Sequence, residues 1–472
     1  MNCSRRSFLG GSGAMLFAGC TTAGRRVPTP PGGAPSLKFG VLSDIHIVDW
    51  ESTEIFRKTL RYFRDSKVNA VLIAGDLADH GLLPQLENVA KAWFEVFPDD
   101  KGPDGEKVER LFIYGNHDPD GLNYRDSAMD QTLQLMHLTY EEAKKLSLSA
   151  LGLGKCWEKC FHEPYSPIYH KNVLGYDFIG GHWDEANGST WTTGPKIDEW
   201  METNGKKINT DQPFFYFQHP HPRGTVFATD TWGEDDGASV RALAPYPKAV
   251  AFSGHAHRPL TDGRNYWRGE FTSIGTSSLS YVCPPERLKD NPNYRPEHNC
   301  RHGQIVSVFD DRLVIERRDF INDESLGDDI VLDLSKPSTF IARGVTKKIE
   351  PKFAEEAKAE VKLDEKVLTI TFPGAFANAT ATPFEYRIEI DFKCDRKDKD
   401  GKTAEKSEWR HFNVLQNDAC FSRQRAVEKG MNVAVFERKD FPEGAKSVEV
   451  WVTALNCYGC GMSQLKSLKF EV

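Results

Sequence analysis

The sequence predicts an α/β protein whose sheets are buried on both faces, followed by a C-terminal antiparallel β-sandwich. From residue 37 to about residue 260, short runs rich in β-branched and aromatic residues alternate with longer stretches of helical periodicity. Such alternation is typical of α/β units. Beyond residue 366, strand-like runs follow one another without helical stretches between them, which indicates a small sandwich.

The N-terminal strands and helices are predicted from these periodicities, in chain order. Six apolar runs predict strands at 37–43, 69–75, 110–115, 176–181, 214–218 and 249–254. Helical patterns lie between them at 54–66, 83–97 and, as a longer insertion, 127–150. Three more strands are predicted at 269–279, 303–310 and 312–319, the last two joined by a tight turn at Asp310-Asp311.

The C-terminal region begins after a Lys- and Glu-rich stretch that starts near residue 347, which indicates a solvated linker or surface. Its predicted strands are 367–372, 384–392, 409–415, 432–438 and 447–455. The ending at 448–463 resembles the last strand and turn of a fibronectin type III domain. Two roles are open for this region: a module that binds cell wall or glycan, or a structural cover for the rim of the preceding domain.

The first residues are predicted to direct export. Ser4-Arg5-Arg6-Ser7-Phe8-Leu9 resembles a twin-arginine signal, and Leu16 to Cys20 (LFAGC) resembles a lipobox in which Cys20 is acylated. An ordinary signal peptide cleaved near Gly19 is the alternative. We therefore predict a signal peptide (1–19), a Pro- and Gly-rich tether (20–36), a catalytic domain (37–340) and a C-terminal domain (341–472).

Composition narrows the function classes. A hydrophobic fraction of 39% and a charged fraction of 27% are typical of soluble globular protein. The net charge of −8 argues against a general polyanion binder, although bound cations would still permit a small phosphate substrate. Eight cysteines beyond residue 20 predict disulfides in an exported chain, with Cys457–Cys460 as the preferred structural pair.

Five polar clusters each follow one of the apolar strands. They are Asp44-Ile-His46, Gly75-Asp76, Gly115-Asn116-His117-Asp118, His219, and Gly254-His255-Ala-His257. Ligands of open α/β sheets bind beyond the carboxyl ends of strands, so these clusters are expected to converge on one rim. In the fourth cluster His219 is preferred to His221 because it comes first after the strand.

The residue types in these clusters point to transition-metal ligands. Two carboxylates, one amide oxygen and four imidazoles, without a thiolate, suit Mn, Fe or Zn. Calcium and magnesium prefer all-oxygen ligands. Each motif alone has a simpler explanation, since Gly-Asp is an ordinary turn and a strand-end Asp often caps a helix. The five motifs together are far more specific than any one of them.

The order D-x-H, G-D, G-N-H-D, H, G-H-x-H resembles the calcineurin-like metallophosphoesterase superfamily over roughly residues 37–325. This resemblance implies a double β-sheet sandwich flanked by helices and two divalent or trivalent ions sharing a hydroxide that attacks phosphorus. Its implied ligands are Asp44, His46 and His257 for the first metal, Asn116, His219 and His255 for the second, and Asp76 bridging both. It also implies that His117 acts as an outer acid or charge stabiliser, oriented by Asp118.

Departures from the family pattern disfavour some members. Asp79 stands where purple acid phosphatases carry Tyr, and His80 and Asp118 replace residues typical of protein phosphatases. Beyond the metal pattern, His182 and Trp183 follow the strand at 176–181 and are candidates for substrate contact.

The sequence thus predicts an exported, lipid-anchored phosphohydrolase of the periplasm or cell envelope that acts on a phosphomonoester or phosphodiester. Its expected partners are this small substrate and the membrane, reached through the lipid on Cys20, with no specific nucleic acid. The alternatives are a non-enzymatic binding lipoprotein and a metal-dependent nuclease.

Overall fold

A computed structural model was used to define the fold. It describes residues 33–124, 127–190, 193–226, 233–283, 299–310, 312–327, 329–334, 351–375, 385–397, 399–415, 431–455, 464–467 and 470–471. The predicted signal peptide and Cys20 lie outside these ranges, as do Cys420, Cys457 and Cys460. Among the helices within them, none is long and apolar enough to cross a membrane.

The N-terminal part combines strands and helices. Its strands are β1 (Leu37–Leu42), β2 (Ala70–Ala74), β3 (Glu109–Ile113), β4 (Ile168–Val173), β5 (Tyr176–Gly181), β6 (Phe214–Gln218), β7 (Ala249–Ser253), β8 (Tyr266–Arg268), β9 (Thr272–Gly275), β10 (His302–Val308), β11 (Arg312–Asp319), β12 (Glu324–Ser325) and β13 (Ile330–Asp333). Its helices are α1 (Thr53–Asp65), α2 (Leu83–Val96), α3 (His117–Asp120), α4 (Ser127–Leu135), α5 (Tyr140–Leu146), α6 (Leu148–Leu151), α7 (Leu153–Phe161), α8 (Ile197–Asn204) and α9 (Ala238–Leu243).

Two sheets organise this part. The first has the order β12-β11-β10-β1-β2-β3, with β13 also paired to β11. Strands β1, β2 and β3 run parallel, and β10 joins β1 antiparallel. The second has the order β4-β5-β6-β7-β9-β8, and β5, β6, β7 and β9 run parallel. Each sheet therefore has a parallel centre whose strand ends share one edge.

The two sheets pack face to face through alternate residues of their strands. Leu37, Phe39 and Val41 of β1 belong to the core between the sheets, whereas Leu42 belongs to the core on the helix side. Phe39 reaches across: its ring centroid lies 5.2 Å from Phe178 and 4.9 Å from Phe215. This two-residue alternation is the strand periodicity expected when both faces are buried.

Helices cover the outer faces of both sheets. α1, α2 and α7 supply the apolar residues that pack on the first sheet, including Phe63, Trp93 and Phe161. α8 and α9 cover the second sheet, with Ile197 and Leu243 in that core. The predicted α/β fold, a double sheet flanked by helices, is confirmed.

The C-terminal part is the predicted antiparallel sandwich. Its strands are β14 (Glu360–Leu363), β15 (Val367–Pro373), β16 (Glu385–Lys397), β17 (Thr403–Leu415), β18 (Met431–Glu437), β19 (Ala445–Leu455), β20 (Gln464–Lys466) and β21 (Phe470–Glu471). The sheet β14-β15-β18 packs on the sheet β17-β16-β19-β20 through one core that contains Phe372, Tyr386 and Phe392. Likeness to a fibronectin type III domain stays a prediction, and the boundary at residue 340 lies outside the described residues.

Three of the sequence predictions are wrong in detail. The insertion at 127–150 is three short helices, because Thr139 and Ser147 each accept a backbone hydrogen bond as helix N-caps. The strand predicted at 269–279 is shorter, since only β9 (Thr272–Gly275) lies in that range, and β8, which pairs with it antiparallel, lies before it. The five described cysteines, Cys156, Cys160, Cys283, Cys300 and Cys394, are not joined by disulfides, so the disulfides expected in this chain do not form among them.

The close packing of α1 on β1 yields a stability prediction. A Cβ atom added to Gly40 would lie 2.5 Å from the ring of Phe63, so Gly40→Ala should destabilise the N-terminal domain by about 1–3 kcal/mol through overpacking. Gly102→Ala is the matched control, because its nearest neighbour would lie at 3.5 Å. Urea unfolding of both variants measures the effect, and an equal midpoint for the two would contradict this packing.

Candidate metal centre

The predicted ligands lie beyond the ends of five parallel strands. Asp44 and His46 follow β1, and Asp76 follows β2. Asn116 follows β3 in the first sheet, while His219 follows β6 and His255 and His257 follow β7 in the second. All seven are buried. The centre therefore bridges the edges of both sheets.

Four of these side chains form a compact group. Asp44, His46, Asp76 and His257 each offer one ligand atom, and these atoms all lie within 4.8 Å of one another. His257 Nε2 lies 2.9 Å from Asp44 Oδ1, and His46 Nε2 lies 3.6 Å from Asp76 Oδ2. This is the set that the family resemblance implies for the first metal, together with the bridging residue.

The second predicted set adjoins the first through Asp76. His219 Nε2 lies 3.2 Å from Asp76 Oδ2 and 3.2 Å from His255 Nδ1. The Oδ1 atom of Asn116 is buried and has no hydrogen-bond partner among the described residues. A buried acceptor without a donor is costly, and a cation is a suitable partner for such an oxygen. The residues therefore fit a metal centre.

Hydrogen bonds fix which nitrogen of three histidines faces the centre. His219 Nδ1 is 2.7 Å from the Ala74 carbonyl oxygen, and His257 Nδ1 is 2.9 Å from the Tyr281 carbonyl oxygen. His46 Nδ1 is 2.9 Å from Asp79 Oδ1. Each Nδ1–H donates to an oxygen, so each Nε2 is the nitrogen that faces the carboxylates. Such outer partners orient the histidine ligands of metal sites.

The backbone of the ligand loops adopts an unusual conformation. Asp44 (φ 50°), His46 (φ 43°), Asp76 (φ 53°), His255 (φ 71°) and His257 (φ 52°) all have left-handed φ values. Non-glycine residues rarely adopt this region, and such outliers gather where the surrounding structure enforces them for function. Five of the seven ligands are thus held in strained loops.

Two glycines allow the loops to approach the carboxylates closely. A Cβ on Gly115 would lie 2.3 Å from Asp76 Oδ1, and a Cβ on Gly254 would lie 2.6 Å from Asp44 Oδ2. No larger residue fits at either position without displacing a carboxylate. This close approach explains why glycine precedes the asparagine and the histidine motifs.

His117 lies at the mouth of the centre. Its side chain is 22% exposed, and its ring stacks on Tyr124 with centroids 4.5 Å apart. Its backbone N–H donates to Asp76 Oδ1, and its Nδ1 lies 2.7 Å from the Asp79 carbonyl oxygen. Nε2 is therefore the nitrogen available for proton transfer.

Asp118 holds the loops and not the His117 ring. Its carboxylate accepts the backbone N–H groups of Leu77, Ala78 and Gly115 at 3.2, 2.8 and 2.8 Å. The expectation that Asp118 orients His117 is thus corrected, because the His117 Nδ1–H donates to the Asp79 carbonyl oxygen and not to Asp118. Burial raises the pKa of Asp118 to about 7, and the charge of Asp76 adds to this rise.

The charges at the centre are strongly coupled. Burial raises the pKa of Asp76, but the positive charges that His219, His117 and His46 can carry outweigh burial and hold it well below its usual value. Burial lowers the pKa of His219, but Asp76 and Asp44 outweigh burial and raise it to about 9. Burial likewise lowers the pKa of His117, and Asp76 with the Asp79 carbonyl reverses the effect and raises it.

His182 and Trp183 occupy different surroundings. His182 is 1% exposed, and its Nδ1 accepts the Tyr114 backbone N–H at 3.0 Å. Aromatic rings surround it, with Trp157 and Tyr165 each 4.7 Å away. This environment favours a packing role, and substrate contact by His182 stays a prediction. The Trp183 ring lies 6.3 Å from both His219 and His255, so it borders the second ligand set.

Three residues near the ligands were not assigned roles from the sequence. Asp79 contacts His46, and Tyr281 supplies a carbonyl and a ring 4.2 Å from His257. Tyr124 accepts the Asn116 Nδ2–H at 2.8 Å. Tyr124 and Asp79 lie within eight residues of a ligand motif, which is the signal that could have marked them. Tyr281 lies far from its motif and carried no such signal.

The family comparison agrees with this geometry. Residues 37–259 match the family described as Metallophos, calcineurin-like phosphoesterase. This match supports a calcineurin-like phosphoesterase domain over residues 37–259. No protein with a curated description matches the sequence.

Solved structures similar to this chain include three proteins of low sequence identity. A conserved uncharacterized protein from Streptococcus pneumoniae TIGR4, described as a predicted phosphoesterase, shows 13% identity, covers 63% of this chain and 97% of its own, and has a TM-score of 0.27. GAP50, described as the anchor in the inner membrane complex of Plasmodium, shows 13% identity, covers 63% of this chain and 88% of its own, and has a TM-score of 0.35. Zn-complexed Vps29 from Entamoeba histolytica shows 11% identity, covers 63% of this chain and 99% of its own, and has a TM-score of 0.30.

Proton release on metal binding tests the charge balance of the centre. Because His219 has a pKa of about 9, it carries a proton at pH 8 that a cation must displace. We expect about one proton or more to be released for each centre that binds metal at pH 8. Below pH 9, the apparent affinity for the metal should increase about tenfold for each unit by which the pH is raised. Calorimetry in buffers of different ionisation enthalpy counts these protons. Metal binding without proton release at pH 8 would contradict the assignment of His219.

The burial of His182 makes a separate prediction about stability and pH. Burial lowers the pKa of His182 to about 3, below the ordinary value of about 6.5. The unfolded chain therefore binds one more proton between these values, and stability is lost as pH falls through this range. In chelator-treated protein, His182→Gln should reduce that slope by about 1.4 kcal/mol per pH unit.

A second buried histidine provides an internal comparison. Burial also lowers the pKa of His221 to about 3, so His221→Gln should reduce the slope by a similar amount. Urea unfolding from pH 4 to pH 7 measures both variants. An unchanged slope in His182→Gln would show that His182 is not buried as a neutral imidazole.

Proposed function

We propose that the protein is an exported, lipid-anchored phosphohydrolase that uses two metal ions to cleave phosphomonoesters or phosphodiesters. The observation that supports this most strongly is the compact group of Asp44, His46, Asp76 and His257, whose ligand atoms lie within 4.8 Å of one another. Its location in a calcineurin-like phosphoesterase domain supports the same reaction class.

The chain's donors define how the ions would be held. Asp44, His46 and His257 would hold one ion, Asn116, His219 and His255 would hold the other, and Asp76 would contact both. Mixed imidazole and oxygen donors favour Mn, Fe or Zn. When bound, two such ions supply Lewis-acid polarisation of the phosphoryl oxygens and a hydroxide nucleophile at neutral pH.

His117 would supply the proton for the leaving group. Its Nδ1–H is engaged with the Asp79 carbonyl, so in the protonated ring Nε2–H faces the opening and can donate to the leaving oxygen. The nearby carboxylates raise its pKa, which keeps this proton available, although bound cations would oppose that effect. Stacking on Tyr124 holds the ring plane in place.

Asp118 would act as a positioning residue. By accepting N–H groups from Leu77, Ala78 and Gly115, it ties the loop after Asp76 to the loop that carries Asn116 and His117. These two loops present the bridging carboxylate and the proton donor. Their relative position therefore depends on a carboxylate that does not contact the substrate.

The substrate is proposed to be a small phosphate ester of the cell envelope. It would bind at the centre between Trp183 and Tyr124. The net charge of −8 weighs against extended polyanions as substrates, which disfavours the nuclease alternative. The other alternative is a non-enzymatic binding lipoprotein. It would be favoured if one of the metal-ligating residues were replaced by a residue that cannot bind metal. All seven predicted ligand positions carry metal-binding side chains.

A substrate panel tests the function. The chelator-treated protein should gain activity on mono- or bis-p-nitrophenyl phosphate after addition of Mn, Fe, Zn or Ni, and elemental analysis should find metal in the active protein. If the protein contains no metal as purified and stays inactive after each ion is added, the result would support the non-enzymatic binding lipoprotein. Salt-sensitive cleavage of DNA in preference to both esters would support the nuclease.

The role of His117 predicts a dependence on the leaving group. His117→Ala should keep its metal content and lose about 10²–10⁴-fold in kcat on a substrate with a poor leaving group. The loss should be smaller on p-nitrophenyl phosphate, because p-nitrophenolate needs little protonation. His170→Ala, which removes a histidine on β4 that is bonded to Asp177 on β5, is the control. Equal losses on both substrates would indicate charge stabilisation in place of acid catalysis.

The lipid anchor predicts a change of location. Cys20→Ser removes the proposed acylation site, so the protein should move from the membrane fraction to the soluble periplasmic fraction. Fractionation of cells that express both forms measures this change. Wild-type protein found in the soluble fraction would contradict anchoring, while cytoplasmic retention of the wild type would contradict export.

A further inference from the structure

The outer face of the C-terminal β17-β16-β19-β20 sheet carries a pair of tryptophans. Trp409 on β17 is 51% exposed, although large apolar side chains are usually buried. Its ring centroid lies 5.0 Å from that of Trp451 on β19, with the planes tilted by 37°. We call this surface the tryptophan face, and its centre is the outward side of β16.

Strand register explains how the two rings meet. Trp409 pairs with Asp391, and Trp451 pairs with Glu389, both on the intervening strand β16. Paired residues project to the same side of a sheet, and the opposite side of β16 carries Ile388 and Ile390 into the sandwich core. The rings therefore lean towards each other across β16, on the side facing away from the core.

The rest of the tryptophan face is polar and balanced in charge. By register, its positions from Arg387 to Lys393 of β16 and on the strands alongside that span include Arg387, Glu389, Asp391, Lys393, Ser407, His411, Ser447, Glu449, Thr453, Gln464 and Lys466. Three carboxylates thus accompany three Lys or Arg residues. Lys466 Nζ lies 5.0 Å from the centre of the Trp451 ring and 3.3 Å from Glu449 Oε1. Gln464 Nε2 donates to Thr453 Oγ1 at 2.9 Å.

These features distinguish between classes of ligand. Nucleic acids and other polyanions require a positive surface, and here the carboxylates balance the charges of the Lys and Arg side chains. A protein interface core is more apolar and depleted of charged residues, and these positions carry no aliphatic side chain. A pyranose has apolar C–H faces that stack on an indole and hydroxyls that hydrogen-bond to carboxylates, amides and imidazole.

We propose that the tryptophan face binds a neutral glycan, with a sugar ring stacked on Trp409 and its hydroxyls bonded to neighbouring side chains such as Glu389 and Gln464. Asp391 gives independent support. It is 2% exposed, and its Oδ1 has no hydrogen-bond partner among the described residues. A hydroxyl group is the kind of donor that this oxygen lacks. The competing explanation is that the tryptophans only stabilise neighbouring strands.

Affinity electrophoresis of the full mature chain tests the proposal. Gels containing neutral β-glucan, mannan, xylan or glycogen are compared with gels containing anionic alginate. At least one neutral polysaccharide should retard the protein, and Trp409→Ala should weaken that retardation at least tenfold. Val433→Ala is the control, because Val433 is an exposed apolar residue (56%) on β18 of the other sheet and should bind as the parent does.

Thermal unfolding of each variant separates loss of binding from loss of fold. If Trp409→Ala unfolds the sandwich, Glu389→Gln, which retains both tryptophans and the side-chain shape, should still weaken retardation at least threefold. Retardation by none of the neutral polysaccharides, retardation by alginate alone, or equal retardation of the parent and a folded Trp409→Ala variant would each overturn the proposal. The electrophoresis does not depend on phosphatase activity. The glycan-binding proposal is therefore tested independently of the proposed function.

Discussion

The position of the Asp76 carboxylate is the constraint on which the rest of the centre depends. Its Oδ2 lies 3.2 Å from His219 and 3.6 Å from His46, and its Oδ1 accepts the His117 backbone N–H. Its own carbonyl oxygen accepts the N–H groups of Ile45 and His46. One residue at the end of β2 thereby joins loops from β1, β3 and β6. Moving it would displace both predicted ligand sets.

The fold supports this arrangement through rigid packing beneath the loops. The phenylalanines that join the two sheets, with Phe39 at their centre, fix the separation of β1 from β6 and β7. Gly115 and Gly254 then let the loops approach the carboxylates, and Asp118 ties two loops together by three backbone hydrogen bonds. The cost of left-handed backbone at five ligands is offset by this network. Strain and preorganisation are thus two consequences of the same packing.

Much of this arrangement could be predicted from the sequence, because parallel strand ends share an edge. The strands that carry the ligands were predicted to within a few residues, and position after the strand separated His219, which adjoins Asp76, from His221, which bonds Ser253. Strand β4 was missed because half of its sequence IYHKNV is polar and most of its residues are only partly buried. The helical insertion was predicted as one unit because its internal caps at Thr139 and Ser147 were not recognised.

The contacts that refine the site could not be predicted in the same way. The carbonyl of Tyr281 orients His257 from 24 residues away, and a backbone carbonyl has no signature in sequence. The pairing of Trp409 with Trp451 depends on the register of three strands. Position relative to a strand end is a local property, whereas these contacts depend on how separate loops and strands pack.

A metal titration of the Asp76→Asn variant, compared with the wild type, tests the central claim most directly. The variant keeps the side-chain shape and removes the negative charge between the two ligand sets. We expect wild-type protein to bind two Mn²⁺ ions whose electron paramagnetic resonance shows exchange coupling. The variant should bind at most one ion and lose the coupling. Two coupled ions retained in Asp76→Asn would contradict a bridging role for Asp76.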